Sequence, residues 1–289
     1  MEKRKICLGA LAFVTCVYLA DTGRALAAAK IKLRWNIPNG LKTQVTASGM
    51  LKMAVDNRLS AYDQPESSMP DQQSFSWKKK YYDIYKVVEQ GSPRKIVRRT
   101  EVDSRTARNP QNNKMEAEDL PAKDSTVTMT VRPDGSVALN EDADPQVADE
   151  FKSVRVESLV SGREFEENGE VALTENQLTS AISLVTSGSG KLKLMKVEGD
   201  PELRQKVAEI EGDVKLVFNL PIQENVFLPI KFEGKIKIKY VPEIGLEILR
   251  KIDGKIFLDY QFTSGAVKVH TIGSGELHDL INTQIISGR

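Results

Sequence analysis

Cysteine is nearly absent. The chain has two in 289 residues, Cys7 and Cys16, and both fall in the N-terminal stretch MEKRKICLGALAFVTCVYLADTGRALAAAK. Lys3, Arg4 and Lys5 open that stretch, an apolar run follows from Ile6 to Ala20, and Ala25-Leu26-Ala27 has the small-x-small form of a signal-peptidase site. Residues 1–27 therefore read as a secretory signal peptide. The run of about 15 apolar residues is shorter than the roughly 20 that a spanning helix needs. Thr15 before Cys16 and Ile6 before Cys7 do not fit a lipidation site. The exported chain, residues 28–289, then lacks cysteine, which excludes disulfides, a thiol nucleophile and thiolate metal ligation.

Histidine is as scarce. His270 and His278 are the only two, and a site of two histidines eight residues apart would need tertiary help to bind a metal. No Asn-x-Ser/Thr sequon occurs. Exported, cysteine-free and without sequons, the chain reads as a bacterial envelope protein, periplasmic or extracellular. An excess of one charge is missing too: 41 Lys and Arg face 40 Asp and Glu. That balance gives no electrostatic footprint for nucleic acid. After the signal segment no stretch is apolar enough to cross a membrane as a helix.

Catalytic motifs fail on spacing. Ser-Gly-Ser-Gly-Lys at 187–191 has Val185 and Leu192 where a phosphate loop needs Gly and Ser/Thr. Ser189 and Ser274 are flanked directly by glycines, which is not Gly-x-Ser-x-Gly. Ser76 and Lys79 fall on opposite sides of a strand. The acidic clusters at 141–144 and 164–167 match neither a calcium loop nor a defined carboxylate pair. No cofactor or metal site is expected, and the chain reads as non-enzymatic.

What is present is alternation. Ile31 to Ile37, Leu41 to Val55, Phe75 to Gln90, Ile96 to Val102, Leu192 to Val197, Val214 to Leu220, Phe232 to Tyr240 and Val267 to Ile272 repeat with period two, as half-buried antiparallel strands do. Pro133-Asp134-Gly135 predicts a three-residue hairpin loop. Asp253-Gly254, inside RKIDGKIFLDYQF, predicts a second, pairing Ile248 with Leu258 and Leu246 with Tyr260 and leaving Arg250 at the rim. The two turns share a pattern that reads either as duplication or as ordinary hairpin chemistry.

Four helices are expected. One follows Asp144-Pro145, and one follows the capping box Thr174-Glu175-Asn176-Gln177. A third follows Asp200-Pro201, with Leu203, Val207 and Ile210 on one face, and a fourth follows Ser274, with Leu277, Leu280, Ile281 and Ile285. Polar stretches 57–74 and 104–124 read as loops. The expected fold is α+β: a mainly antiparallel, strongly curved sheet, half-barrel or sandwich, with three or four short helices. It forms one large domain or two similar halves, about 28–143 and 190–289, joined by a helical segment 144–189.

LRWNIPNG at 33–40 and VRPDGSV at 131–137 resemble exported β-rich envelope proteins of unknown function from environmental bacteria. The layout is similar to periplasmic lipoprotein carriers, whose curved sheets hold acyl chains. That resemblance implies a lipid or other amphiphile as ligand. The candidate lining is Trp77, Tyr81 and Tyr85 from the aromatic strand, with Ile248, Leu258 and Tyr260 from the last alternating segment. An envelope protein or glycan docking on the sheet is the competing expectation, and an uncharacterised hydrolase is the third.

Overall fold

The computed structural model describes residues 30–287 except 35, 62–66, 109–111, 113, 141–142, 153, 157, 167, 224–225 and 265–266. The signal-peptide reading lies outside the described residues. In chain order the elements are β1 (Lys30–Leu33), β2 (Lys42–Ala61), β3 (Ser67–Glu89), β4 (Ser92–Arg108), β5 (Met115–Asp119), β6 (Thr126–Val131) and β7 (Val137–Leu139). Helix α1 (Pro145–Phe151), β8 (Arg163–Glu166), β9 (Glu170–Leu173) and helix α2 (Glu175–Ala181) follow. Four long strands complete the sheet after β10 (Val185–Asp200): β11 (Gln205–Gln223), β12 (Val226–Val241), β13 (Leu246–Ser264) and β14 (Val267–Ser287).

Twelve strands make one antiparallel sheet in the order β7-β6-β4-β3-β2-β14-β13-β12-β11-β10-β9, with β5 paired to β4; β1 and β8 form a separate ladder. The sheet does not close, and the class is all-β rather than α+β, with two helices among the described residues. None of the helices is long and apolar enough to cross a membrane.

The two missing helices are explained by partners. Asp200 does cap backbone amides, those of Glu202 and Leu203 at 2.9 and 3.0 Å. However, these bonds close the β10–β11 hairpin, because an Asx turn and a helix N-cap use the same local hydrogen bonds. The segment after Ser274 lies between β13 and β2, and each of its residues from Ser274 to Asn282 is paired on both sides. Those two ladders satisfy its backbone without a helix. The polar stretches 57–74 and 104–124 are largely strand as well: β2 runs to Ala61, β3 starts at Ser67, and β4 and β5 occupy much of the second. The side chains of Ser67–Gln73 and of β5 are exposed on both faces, so no alternation marks them.

The helices at Asp144 and Thr174 start where expected but are short: α1 ends at Phe151 and α2 at Ala181, and Val185 to Gly188, read as the end of the second helix, open β10. Asp144 accepts from Gln146 and Val147 at N-cap, and the Thr174–Gln177 capping box is complete. The 133–135 loop forms too. Arg132 donates to Ser136 at 2.8 Å and Gly135 has φ +78°.

Asp253-Gly254 does not turn. β13 continues through it, with Gly254 opposite Gly234 of β12 and Leu277 of β14. Leu258 pairs with Ile230 and Gly273, not with Ile248. The ring of Phe232 lies over the two glycines; a Cβ on Gly254 would sit 2.7 Å from its Cζ. Gly254 is thus small because an aromatic ring crosses it. With one of the two turns absent, the two segments do not form matching hairpins.

One face of the sheet is covered, in two places. A larger core joins β10–β13 to α2, to Leu33 of β1, to Phe165 of β8 and to Leu159 and Val160, with Met53 and Val55 of β2. A smaller one joins Tyr85, Ile96, Val127 and Met129 to Val147 and Phe151 of α1 and to Leu246. The opposite face is charged. On β12 it carries Lys231, Glu233, Lys235, Lys237 and Lys239, tied in part to Glu211, Lys215 and Glu209 of β11.

Candidate functional site

The six candidate lining residues all lie on the covered face, as the alternation predicts. Trp77 stands opposite Gly49, Gly49 opposite Asp279, and Asp279 opposite Ile252, which fixes the common face of β3, β2, β14 and β13. They do not meet in one pocket. Leu258 is buried in the larger core, with half-buried Tyr260 packed against it. Tyr85 is buried in the smaller core with Ile248 against it. Trp77 and Tyr81 lie between the cores, half-buried.

That middle zone is polar, which alternation alone does not reveal. Arg98 of β4 clamps Asp83 of β3 through Nε–Oδ1 and Nη2–Oδ2 bonds, both 2.7 Å. Its guanidinium lies 3.7 Å from the centre of the Tyr81 ring. Burial works against the Arg98 charge, but the Asp83 carboxylate more than offsets this and keeps the arginine pKa raised. Burial likewise raises the Tyr81 hydroxyl.

One strand-pair further along, Lys79 bonds Asp103 at 2.9 Å. Lys79 interrupts the aromatic row in sequence, and this buried carboxylate is why. The register between β3 and β4 shifts at Lys80/Tyr81, so that Lys80 pairs with Val102 but Tyr81 with Thr100. This bulge gives Glu101 to Lys80 at 2.8 Å on the outer face.

Arg250 is not at a rim. It bonds Glu247 through Nε and Nη2 at 2.8 and 2.6 Å and donates Nη1 to the carbonyl of Ala181 at 2.8 Å. Glu247 also accepts from the Ser158 hydroxyl and the Leu159 amide. This ion pair therefore ties the end of α2 and the 158–160 segment to the sheet.

Trp77 crosses Gly49 to reach Asp279. A Cβ on Gly49 would fall within 1.9 Å of the indole ring, and the indole N–H bonds the Asp279 carboxylate. Burial pushes Asp279 up to about 6, against the pull of Arg250. A carboxyl with a raised folded pKa stabilises below its unfolded value, and that contribution fades as pH rises through about 6. In a Trp35→Phe background, Trp77 emission should titrate with a midpoint near pH 6, and Asp279→Asn should abolish the transition. A flat wild-type profile would mean that Asp279 does not ionise beside the indole.

Two surface depressions are open rather than enclosed. One lies over Gly49 between Lys78, Lys251 and His278; the other lies near Pro93, Val131 and Val156. His270 and His278 are both on the outer face of β14, each 2.8 Å from an aspartate, Asp259 and Asp253. Among the described residues no group of three acidic, histidine or cysteine side chains could hold a metal ion.

Beyond the larger core the covered face runs out uncovered. Phe262, Val269 and Leu59 form one cross-strand row, and Tyr260, Thr271, Asn57 and Met69 form the next. Phe262 is 42% and Met69 51% exposed, and Tyr260 stacks on Phe262 with ring centres 5.8 Å apart. Nearer the centre, Leu277, Leu51 and Phe75 make a half-buried row. The exposed edge strand of β3 adds a second feature. Among the described residues, Ser67–Gln73 pairs with β2, and pairing with β4 begins at Phe75.

No family model matches the sequence, and no curated protein does. Among solved structures, the COG4313 outer membrane channel from Pseudomonas putida F1 is similar at TM-score 0.19, with 8% identity over 86% of this chain and 98% of that one. The InvG secretin domain β-barrel from the Salmonella SPI-1 injectisome gives 0.18 and 9% over 95% and 68%. The outer membrane protein OprG from Pseudomonas aeruginosa gives 0.16 and 6% over 87% and 99%. Scores this low do not establish a shared fold. The faces also differ from what a bilayer requires: a spanning barrel turns an apolar band outward, whereas here the outer face of β12 is a row of lysines and glutamate.

Proposed function

We propose that this is an exported, non-catalytic binding protein of the bacterial envelope that takes the apolar part of an amphiphile on the open end of its covered face. The observation that carries the reading is the pair of neighbouring rows at the open end, in which Phe262 and Met69 are exposed beside half-buried Val269 and Leu59, and in which Tyr260 packs on the larger core. Apolar side chains gathered on one face and left uncovered mark interaction surfaces. Tyr260, one row in from Phe262, adds a ring with a polar atom, suited to the boundary between a chain and its head group. The signal segment supports export.

The protein purified gently from a bacterial periplasm should carry excess mass in native mass spectrometry that organic extraction removes. Phe262→Asp combined with Met69→Asp should remove it too. A clean apo mass in the wild type would overturn the reading.

A second reading, docking of an envelope protein by strand addition, is favoured by the edge of β3 at Ser67–Gln73. A photo-crosslinker at Phe262 should capture lipid under the first reading. One at Gln72 should capture a protein under the second.

A further inference from the structure

We propose that the outer face of the sheet, where β12 and β13 lie side by side, docks on an anionic lipid surface, with its lysines at the phosphates and Phe257 between them in the head-group layer. The proposal does not depend on what the open end of the covered face takes.

The chain as a whole is balanced, with 41 basic and 40 acidic residues, so a basic face is a matter of placement. Strand pairing does the placing. Lys78, Ser48, Leu280, Lys251 and Lys237 follow one another across five strands in a single row. At about 4.8 Å per strand, the row spans about 19 Å from Lys78 to Lys237. Lys251 and Lys237 stand directly opposite each other. Like charges so placed disfavour the pairing, and the ladder forms in spite of them. Asp253 bonds Lys251 at 2.7 Å and Glu211 bonds Lys237 at 3.0 Å.

Those ion pairs leave other lysines without one. Lys235 stands opposite Asp253 and Asp213, but Asp253 is engaged by Lys251 and His278. Lys255 stands opposite Glu233 and Glu276, but Glu233 is bonded to Lys215, and Glu276 lies 3.7 Å from His278. Lys231 has Phe257 on one side and Val217 on the other, neither of them acidic. Among the described residues, Lys231, Lys235 and Lys255 are exposed and form no ion pair.

Phe257 gives the face its second character. Ile256 and Leu258 on either side of it are buried in the larger core, so parity turns Phe257 outward, where it is 42% exposed. Its cross-strand neighbours are Lys231 and Ser274, and Lys255 precedes it by two residues on the same face. A ring framed by lysines suits a bilayer surface. The ring enters below the phosphates, while the lysine stems lie along apolar surface and hold their ammonium groups at phosphate level. Cations spread across several strands match a plane of phosphates better than a single anion.

Cosedimentation of the exported chain with vesicles of phosphatidylglycerol and phosphatidylcholine in equal parts tests this. The wild type should bind them, should ignore pure phosphatidylcholine, and should be released when salt is raised to about 0.5 M. Lys231→Gln and Lys255→Gln should each weaken binding about fivefold, and Phe257→Ser about tenfold. Lys152→Gln, beyond the end of α1 on the covered side, should leave it unchanged. All four positions are at the surface, and the variants should melt with the wild type. The lysine variants should also keep any excess mass that the wild type carries, so loss of docking and loss of an amphiphile are separate results. Equal binding to both kinds of vesicle, outer-face variants that match the wild type, or a loss in Lys152→Gln as large as in Lys255→Gln would overturn the proposal. Equal affinity for soluble polygalacturonate would overturn it in favour of an acidic glycan.

Discussion

Asp83→Ala should lower the melting temperature by roughly 10 °C. Removing one member of a buried ion pair costs about 3–5 kcal/mol, because the survivor is left charged and unpaired. A chain of this size loses about 2–4 °C per kcal/mol. The pair is buried on both sides, with Arg98 11% and Asp83 5% exposed at the side chain. The bidentate geometry means that no other group takes over both guanidinium bonds. Tyr81 adds a ring face to the cation but cannot neutralise it. The double variant Asp83→Leu with Arg98→Met should recover most of the loss, since an apolar replacement of similar volume leaves no orphaned charge. A loss under 1 kcal/mol in Asp83→Ala, measured by thermal and urea unfolding, would show that water reaches Arg98 and that the middle of the face is wet.

Gly254→Val should be comparably severe for a different reason. A Cβ at this position would lie 2.4 Å from the Glu233 carbonyl oxygen, 2.5 Å from the Gly234 Cα and 2.7 Å from the Phe232 ring. Two of these are backbone atoms of the neighbouring strand, which cannot move aside without breaking the β12–β13 ladder. Overpacking of this kind costs about 1–3 kcal/mol and sometimes more, and valine adds two further methyl groups. Gly254→Asn separates strand from turn. In a hairpin loop with positive φ asparagine is a tolerated substitute, whereas in the middle of β13 it meets the same three atoms. Urea unfolding of Gly254→Asn should therefore show a loss close to that of Gly254→Ala. A near-neutral Gly254→Asn would restore the turn.

The Asp-Gly pair shows how far local reading reaches. Its alternation was readable: Ile252, Ile256, Leu258 and Tyr260 do share the covered face, and so do Trp77, Tyr81 and Tyr85 in β3. Parity along one strand is a local property of the backbone. Whether Asp-Gly turns is not local when a partner strand lies on each side and an aromatic ring needs the space. The helix expected after Ser274 failed in the same way. Leu277, Leu280, Ile281 and Ile285 fit a helical face, but the segment is the link between β13 and β2.

The candidate site was legible by face and not by depth. Sequence order could not separate Leu258 and Tyr85, which fill cores, from Phe262 and Met69, which stand exposed at the open end. Nor could it pair Asp83 with Arg98 or Asp103 with Lys79. Those partners come together through the β3–β4 register and its shift at Lys80/Tyr81. The one visible signal was negative: Lys79 sits on an apolar face, where a lysine needs a carboxylate.

The sequence by itself determined the local elements. These are the alternating strands, the Pro133-Asp134-Gly135 loop, and the two capped helices at Asp144 and Thr174, each fixed by side-chain parity or by hydrogen bonds within a few residues. The tertiary structure alone decided that a single twelve-stranded sheet absorbs the segments read as two further helices and two long loops. It also placed a polar zone between two apolar cores. Strand pairing and burial depend on residues far apart in the chain, and the free energy of closing those contacts overrides short-range preference wherever the two disagree.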